Sequence, residues 1–220
     1  PVASSRTTYH MGNAILDAGG RIRQQVLELA GEQFDCDPES LTMTDGVVYN
    51  DAGEELITLK DLLKRYAGEG YSISASARFS TAGSPLLKAD PGQEWISSIF
   101  WMFCTHAAEV EVDTETGVVR VVKIAAAADV GRAINPMMCE QQIEGGVVMG
   151  LSNGLLEEFK MDNGRILNGS LADYKVATIM DTPEITSILV ESPHDEAPFG
   201  AKGIGEPAAA ATPPAIANAL

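Results

Sequence analysis

The sequence is poor in cysteine, in lysine and arginine, and in long apolar runs, and each shortage excludes a class of protein. Its only cysteines, Cys36, Cys104 and Cys139, are an odd number at wide spacing, which fits neither a disulfide framework nor a zinc or iron–sulfur motif. Reduced thiols of this kind favour a cytoplasmic location. The three histidines are equally scattered, so we expect no metal bound directly by protein side chains. No apolar run approaches the roughly 20 residues that a membrane-spanning helix needs.

Positive charge is scarce as well. The sequence has 15 lysines and arginines and 31 aspartates and glutamates, which gives a net charge of −16. Nucleic-acid binding depends on clustered basic residues that displace counterions, so this composition excludes it. The acidic balance itself favours solubility. Because 45% of the residues are hydrophobic, the 220-residue chain can bury a core as one domain or two small ones.

Helical and extended patterns alternate irregularly along the chain. Apolar residues recur at helical spacing within residues 9–34, and "TLKDLLKRYAG" predicts a short helix with Thr58 as its cap and Gly68 as its stop. The strands "HAAEVEVD" and "VVRVVKIAAAADV" flank the turn "TETG" and predict a hairpin, and a further strand pair is expected between residues 160 and 190. We therefore predict an α+β fold with mixed or antiparallel sheets packed against helices.

Both ends of the sequence have the features of cut ends. The chain opens inside a Ser/Thr-rich loop, and it closes in a short helix that Thr212 would cap and Pro213 would start. We expect residues 1–220 to form a partial domain, truncated at both ends, with 1–104 and 105–220 as candidate sub-lobes.

The helix "CEQQIEGGVVMGLSNGLLEEF" carries a face without side chains. Glycines recur every four residues along this face, and each costs about 1 kcal/mol in helix propensity, so their presence needs a compensating reason. One interpretation is close packing against another helix or strand. The other is that a backbone or a bulky cofactor lies against the groove, with an amide donor near the helix N-terminus. The face consists of Gln142, Gly146, Gly150 and Gly154.

The opening loop "ASSRTT" precedes a predicted helix and is rich in hydrogen-bond donors. Ser4, Ser5, Thr7 and Thr8 offer hydroxyl groups, and Arg6 offers positive charge. Together with a helix N-terminus they suit phosphate or another anionic ligand. Ser/Thr clusters before helices also serve as plain helix caps, and that alternative stays open.

The segment "PFGAKGIGEPAAA" places an acid, Glu206, between a glycine-rich backbone and an apolar run. Desolvation there would raise the pKa of Glu206 towards that of a useful general base. The alternative is a helix N-terminal acid that pairs with Lys202, four residues earlier. Asp129 in "ADVGRAINP" is expected to close an Asx-turn around Gly131 rather than to perform catalysis.

Several of these motifs resemble the molybdenum hydroxylases, the xanthine dehydrogenase and aldehyde oxidase family. The resemblance lies in "GAKGIGEP" followed by "PPAIANAL", in "DVGRAINPMMCEQQIEGGVVMGL" and in "LADYKVATIMDTPEI". It covers nearly the whole chain and corresponds to the C-terminal part of the family's molybdopterin-binding subunit. The opening "SSRTTYHMGNA" is closer to xanthine and nicotinate dehydrogenases than to the carbon monoxide enzymes.

The resemblance assigns roles to individual residues. It implies that Glu206 is the general base and that Gly205 lies beside the metal. The cofactor-binding residues that it implies are Ser4, Ser5, Arg6, Thr7, Gln142 and Gly205. The pterin carries the molybdenum in this family, so the resemblance implies no metal ligand among the protein's own side chains.

The activity implied by the resemblance is that of a molybdenum-dependent hydroxylase or dehydrogenase, similar to xanthine dehydrogenase. Such an enzyme oxidises a C–H bond of an N-heteroaromatic, purine-like substrate or of an aldehyde, with water as the oxygen source. The implied cofactor is molybdopterin with molybdenum, in the cytosine dinucleotide form. The implied partners are the remaining half of the molybdopterin subunit and domains or subunits that hold 2Fe–2S clusters, with or without FAD.

Two other functions stay open at this point. The chain could be a non-catalytic assembly module whose glycine face and acidic surface dock a partner subunit. It could also belong to a 4-hydroxybenzoyl-CoA reductase-like subunit of the same superfamily, which shares the cofactor but reverses the redox direction.

Overall fold

The computed structural model describes residues 5–67, 70, 72–80 and 101–220. The chain divides into two compact units: one comprises Pro1–Tyr9 and Thr81–Leu220, and the other comprises His10–Ser80. The division into 1–104 and 105–220 suggested by the sequence differs from these limits and stays a prediction. Helices combined with small mixed and antiparallel sheets confirm the predicted α+β class.

The smaller unit packs two helices against a three-stranded antiparallel sheet of order β1-β2-β3. Helix α1 runs without interruption through Gly19 and Gly20, and Val26 and Leu29 of its second half are buried. Thr58 caps α2, because its Oγ1 accepts from the N–H of Asp61 at 3.1 Å, as the sequence predicts. The predicted stop at Gly68 lies outside the described residues. The elements are α1 (Gly12–Phe34), β1 (Thr42–Thr44), β2 (Val47–Tyr49), β3 (Glu55–Thr58) and α2 (Leu59–Ala67).

The larger unit is built on a three-stranded sheet of order β4-β5-β8. Strands β4 (Cys104–Val112) and β5 (Val119–Asp129) form the predicted antiparallel hairpin, and β8 (Glu184–Val190) pairs with β5 in parallel. The strand pair predicted between residues 160 and 190 is therefore only partly correct. The small ribbon of β6 (Met161–Asp162) and β7 (Arg165–Ile166) forms there, whereas β8 joins the main sheet.

Helices α3 (Pro136–Leu155) and α4 (Pro207–Ala219) pack on one face of this sheet. The glycine face of α3 lies against α4: a Cβ on Gly146 would stand 2.7 Å from the Cβ of Ala208, and one on Gly150 would stand 2.6 Å from the Cβ of Thr212. The first interpretation of this face, close packing against another helix, is therefore correct. The absent side chains let the two helix backbones approach.

Helix α4 begins earlier than the sequence predicts. Its first residue is Pro207, where the missing N–H costs nothing, so the predicted start at Pro213 with Thr212 as cap is wrong. Pro213 lies inside the helix and cannot donate to the carbonyl of Ala209, four residues earlier. That carbonyl oxygen lies against Gly150, where a Cβ would stand 2.7 Å from it. Packing against α3 thus stabilises a helix that local sequence rules would end.

A histidine lies in the interface between β4 and α4. The Nδ1 atom of His106 lies 3.0 Å from the Oγ1 of Thr212, and that hydroxyl donates to the carbonyl of Ala208 at 2.9 Å. Since the hydroxyl proton is committed, Thr212 accepts from His106, and the imidazole carries its proton on Nδ1. The buried Nε2 atom of His106 has no hydrogen-bond partner in the described part of the chain. Burial lowers the pKa of His106 from its ordinary value of 6.5.

This buried histidine makes stability depend on pH. Below about pH 6.5 the unfolded chain binds the His106 proton more readily than the folded chain, so the stabilisation present above that pH is lost as the pH falls. We expect the free energy of unfolding to fall less between pH 7 and pH 5 in His106→Gln than in the wild type. Urea unfolding at the two pH values measures this difference. Equal losses in both proteins would show that another group is responsible.

Candidate functional site

The glycine segment, residues 198–206, is fastened to the carboxyl end of β5. The N–H of Lys202 donates to the carbonyl of Val130 at 2.9 Å. Gly131 and Gly200 both have φ in the left-handed region, at +68° and +81°. A Cβ on Gly131 would stand 2.2 Å from the carbonyl oxygen of Gly200, so the two backbones touch and no side chain fits between them.

Asp129, the last residue of β5, holds this junction together. Its Oδ1 accepts from the N–H of Gly131 at 3.0 Å, which is the Asx-turn expected from the sequence, and from the N–H of Ser192 at 3.3 Å. Its Oδ2 accepts from the Nζ of Lys202 at 2.6 Å. Burial, the largest single influence, raises the pKa of Asp129. The hydrogen bonds and charge of Lys202, with the two backbone N–H donors, outweigh it and hold the pKa below the ordinary 3.8.

Lys202 therefore does not pair with Glu206. Its ammonium group bonds to Asp129, 73 residues away in the sequence, and the side chains of both partners are buried. The local pairing between Lys202 and Glu206 considered from the sequence is wrong. The reason is that the segment turns at Gly200, where the backbone is left-handed, and returns to the carboxyl end of β5, the central strand of the sheet. There the side chain of Lys202 meets Asp129.

The N-terminal loop meets the glycine segment at Gly203. A Cβ there would stand 2.1 Å from the Oγ of Ser5 and 2.7 Å from the Sδ of Met102, so the loop occupies the space that a side chain would need. Arg6 and Thr7 follow Ser5 and are exposed. Ser4 lies outside the described residues. The predicted cofactor loop thus contacts the glycine segment at Gly203, three residues before Glu206 in the sequence.

A buried tyrosine packs close to this loop. Tyr9 is only 2% exposed, and its N–H donates to the carbonyl of Ser5 at 3.1 Å. Its ring meets that of His194 edge to face, with the centroids 6.2 Å apart. Burial, followed by the charge of Glu196 and a hydrogen bond to it, raises the pKa of Tyr9. The loop, the residues after β8 and the glycine segment therefore form one assembly.

Glu206 lies at the N-terminal end of α4, where its carbonyl accepts from the N–H of Ala209 at 3.1 Å. Its side chain is exposed, so the desolvation expected from the sequence is not supplied by the described residues of this chain. Gly205 is exposed too, and a Cβ on it would meet nothing within 4 Å. Among the described residues, the side of the segment next to Glu206 is therefore open, whereas the side at Gly203 is filled.

Gln142 is exposed on α3, one turn before Gly146. The contacts of Gly146 with Ala208 and of Gly150 with Thr212 show that α3 and α4 run in the same direction. The sequence predicts the Gln142 amide near the helix N-terminus. Gln142 is the seventh residue of α3, however, so it lies beyond the free backbone N–H groups of the first turn.

In the described part of the chain, no group of three or more histidine, cysteine, aspartate or glutamate residues is arranged to hold a metal ion. The same residues include no helix that is both long and apolar enough to cross a membrane.

Comparison with known protein families identifies the family of the chain. Residues 1–183 match the family model described as "Molybdopterin cofactor-binding domain". The chain belongs to the molybdopterin-binding domains of the molybdenum hydroxylase family. The resemblance predicted from the sequence motifs is thereby confirmed.

Relatives of this molybdopterin-binding chain include the nicotine 6-hydroxylase large subunit of Paenarthrobacter nicotinovorans, which is 30% identical over 98% of the chain and 26% of the relative. The putative xanthine dehydrogenase molybdenum-binding subunit of Escherichia coli K12 is 28% identical over 99% of the chain and 28% of the relative. The crystal structure of quinoline 2-oxidoreductase from Pseudomonas putida 86 matches with a TM-score of 0.70 and 29% identity, over 89% of this chain and 24% of that one. The chain thus spans about a quarter of the length of these relatives.

The ion pair between Asp129 and Lys202 is the feature of this molybdopterin-binding chain that the sequence motifs did not reveal. The Asx-turn at Asp129 was predictable from local spacing, but a partner 73 residues away was not. Tyr9 was missed as well, because it was only the first residue of the range 9–34 in which a helical pattern was found. The signal that could have found the pair was a lysine within an otherwise glycine-rich and apolar segment, where a charge needs a buried partner.

Proposed function

We propose that this chain forms part of the cofactor site of a molybdenum-dependent, xanthine dehydrogenase-like oxidoreductase, with Glu206 as the general base. The contact of Ser5 with Gly203 carries the proposal. It joins the loop proposed to bind the cofactor to the segment that ends in the proposed base. Ser5 and Gly203 lie 198 residues apart in the sequence, so their contact supports the proposal that the two motifs belong to one site.

The residues at this site fit a phosphate-bearing pterin. Ser5, Arg6 and Thr7 supply hydroxyl and guanidinium donors, which suit anionic oxygens, and the latter two are exposed. Gly205 leaves room for a group to approach the backbone, because nothing lies within 4 Å of where its Cβ would be. Gln142, exposed on α3 one turn before Gly146, would add an amide that can both donate and accept. With Ser4, these residues would hold molybdopterin in its cytosine dinucleotide form.

In the proposed reaction, the chain's own residues orient the cofactor and move one proton. When bound, the cofactor would supply two-electron redox chemistry at its molybdenum. A carboxylate oxygen of Glu206 would accept the proton of the water that provides the oxygen atom of the product. Because Glu206 is exposed in this chain, the rest of the molybdopterin subunit would have to cover it and exclude bulk water.

We propose an N-heteroaromatic, purine-like compound or an aldehyde as the substrate. The names of the relatives support this proposal, since they include a nicotine 6-hydroxylase, a quinoline 2-oxidoreductase and an aldehyde oxidoreductase. Several relatives are named as subunits, which supports assembly with partners that hold 2Fe–2S clusters, with or without FAD. The free cysteines Cys36, Cys104 and Cys139 favour a cytoplasmic location.

The test is to purify the full-length protein with its partner subunits and measure its metal, its nucleotide and its activity. We expect molybdenum near one atom per subunit, CMP after acid hydrolysis, and oxidation of an N-heteroaromatic or an aldehyde with ¹⁸O taken from labelled water. A purified complex without molybdenum or pterin would show an assembly module instead. Reduction of an aromatic acyl-CoA, without oxidation of N-heteroaromatics or aldehydes, would show the reductase of the same superfamily.

A further inference from the structure

The ion pair between Asp129 and Lys202 differs from every other ion pair within the described residues. Its side chains are 8% and 9% exposed, whereas each of the others leaves both side chains at least 42% exposed. Exposed pairs of that kind contribute little to stability. A buried pair must offset the cost of removing two charges from water, and a well-packed apolar pair is often at least as stable. Stability alone therefore does not account for the pair.

The hydrogen bonds around the ion pair fix the orientation of the Lys202 backbone in addition to attracting its side chain. Asp129 uses Oδ2 for Lys202 and Oδ1 for the N–H groups of Gly131 and Ser192. The backbone N–H of Lys202 also donates to Val130. Lys202 is thus held through both its main chain and its side chain, which fixes the direction in which the chain leaves the sheet.

The segment that Lys202 anchors needs such restraint. Phe199 has φ +54° and ψ +18°, a left-handed conformation that is unfavourable for a residue with a side chain. Residues in sparsely populated backbone regions are strained and persist only where their surroundings hold them. On the far side of Glu206 a second anchor follows, because Ala208 packs against Gly146 of α3. Glu206 lies between these two fixed points, although its own side chain is exposed.

We propose that Asp129 and Lys202 are a positioning pair that sets the place of Glu206 at the site. This inference rests on the proposed function, in which Glu206 accepts the proton. Neither residue of the pair contacts Glu206 in the structure. They act through the backbone of residues 202–206, which the buried ion pair ties to the end of β5.

The experiment replaces Lys202 by methionine in the full-length protein with its cofactor. We expect kcat to fall by about 10- to 100-fold, the usual scale for a misplaced catalytic group, while KM and molybdenum content change little. In the cofactor-free protein, we expect faster hydrogen–deuterium exchange in the peptide that covers residues 198–206. The matched control is Lys123→Met, which breaks the exposed pair with Glu184 in the same sheet and should leave kcat and that exchange rate unchanged.

A double-mutant cycle with Glu206→Gln separates positioning from plain stability. If Lys202 acts through Glu206, Lys202→Met lowers turnover in the wild-type background but not in the Glu206→Gln background. Equal losses in both backgrounds would overturn the proposal. If Glu206→Gln itself leaves turnover unchanged, the assignment of the base fails, and faster exchange of residues 198–206 in Lys202→Met would still support the anchoring role.

Lys202→Met leaves Asp129 buried without its charge partner, and this alone can prevent folding. A second variant is therefore needed. The double variant Asp129→Asn/Lys202→Met removes both charges, and the amide oxygen of the asparagine can still accept from the N–H groups of Gly131 and Ser192, so we expect it to fold. The proposal predicts that it shows the same loss of kcat and the same faster exchange. Wild-type turnover in this folded double variant would overturn the proposal.

Discussion

Glu206→Gln lowers the kcat of the complete enzyme by about 10²- to 10⁴-fold, the usual contribution of general acid–base catalysis. Glutamine keeps the size of the side chain and its ability to hydrogen-bond, but its amide cannot accept the proton. Molybdenum content stays at the wild-type level, because the residues proposed to hold the cofactor are untouched. Steady-state kinetics with an N-heteroaromatic substrate, together with elemental analysis of the same sample, measure both effects.

The control for this variant is Glu109→Gln, which makes the same chemical change on the exposed face of β4. It should turn over at the wild-type rate. If Glu206→Gln does so too, Glu206 is not the base. If Glu206→Gln loses molybdenum along with its activity, the residue contributes to cofactor binding, and its role in proton transfer is not supported.

Gly150→Ala destabilises the complete protein by about 1–3 kcal/mol, the usual cost of overpacking an interior. The added methyl group would stand 2.6 Å from the Cβ of Thr212 and 2.7 Å from the carbonyl oxygen of Ala209, and both belong to α4. The two helices would have to move apart, which would expose the Ala209 carbonyl that Pro213 leaves without its helical donor. Thermal or denaturant unfolding, compared with the wild type, measures the loss.

The matched control lies on the same helix, five residues earlier. Gly145 is exposed, and a Cβ on it would meet nothing within 4 Å. Gly145→Ala therefore gains helix propensity without a clash and should stabilise the protein by up to about 1 kcal/mol. Opposite signs for the two substitutions support the packing of α3 on α4. A stabilising effect of Gly150→Ala would contradict it.

The sequence predicted those parts of the fold that depend on local spacing. The hairpin of β4 and β5 follows from strand alternation around "TETG", and α3 follows from apolar residues at helical spacing. The start of α4 could not be predicted in this way, because local rules forbid Pro213 in a helix interior, and only the contact of Gly150 with Ala209 makes it tolerable. The parallel pairing of β8 with β5 is equally non-local, since 54 residues lie between the two strands.

The candidate site shows the same limit. Glu206 and Ser5 were identified from motifs, and the structure shows that the loop of Ser5 reaches the segment of Glu206. The partner of Lys202 was not identified, because sequence proximity favours Glu206, whereas the folded chain presents Asp129. The exposure of Glu206 was not predicted either, since its glycine-rich and apolar neighbours in the sequence indicated desolvation, whereas the described residues of this chain leave its side chain exposed.

The close contacts of Gly131 with the backbone of Gly200, and of Gly203 with the side chain of Ser5, also limit how such an enzyme could be engineered. Any side chain larger than hydrogen would collide with the Gly200 carbonyl at the first position and with Ser5 at the second. A library that diversifies this segment to accept new compounds would therefore lose most of its members to misfolding. Changes of selectivity are better sought in neighbouring parts of the enzyme, with these few residues retained as a constant frame.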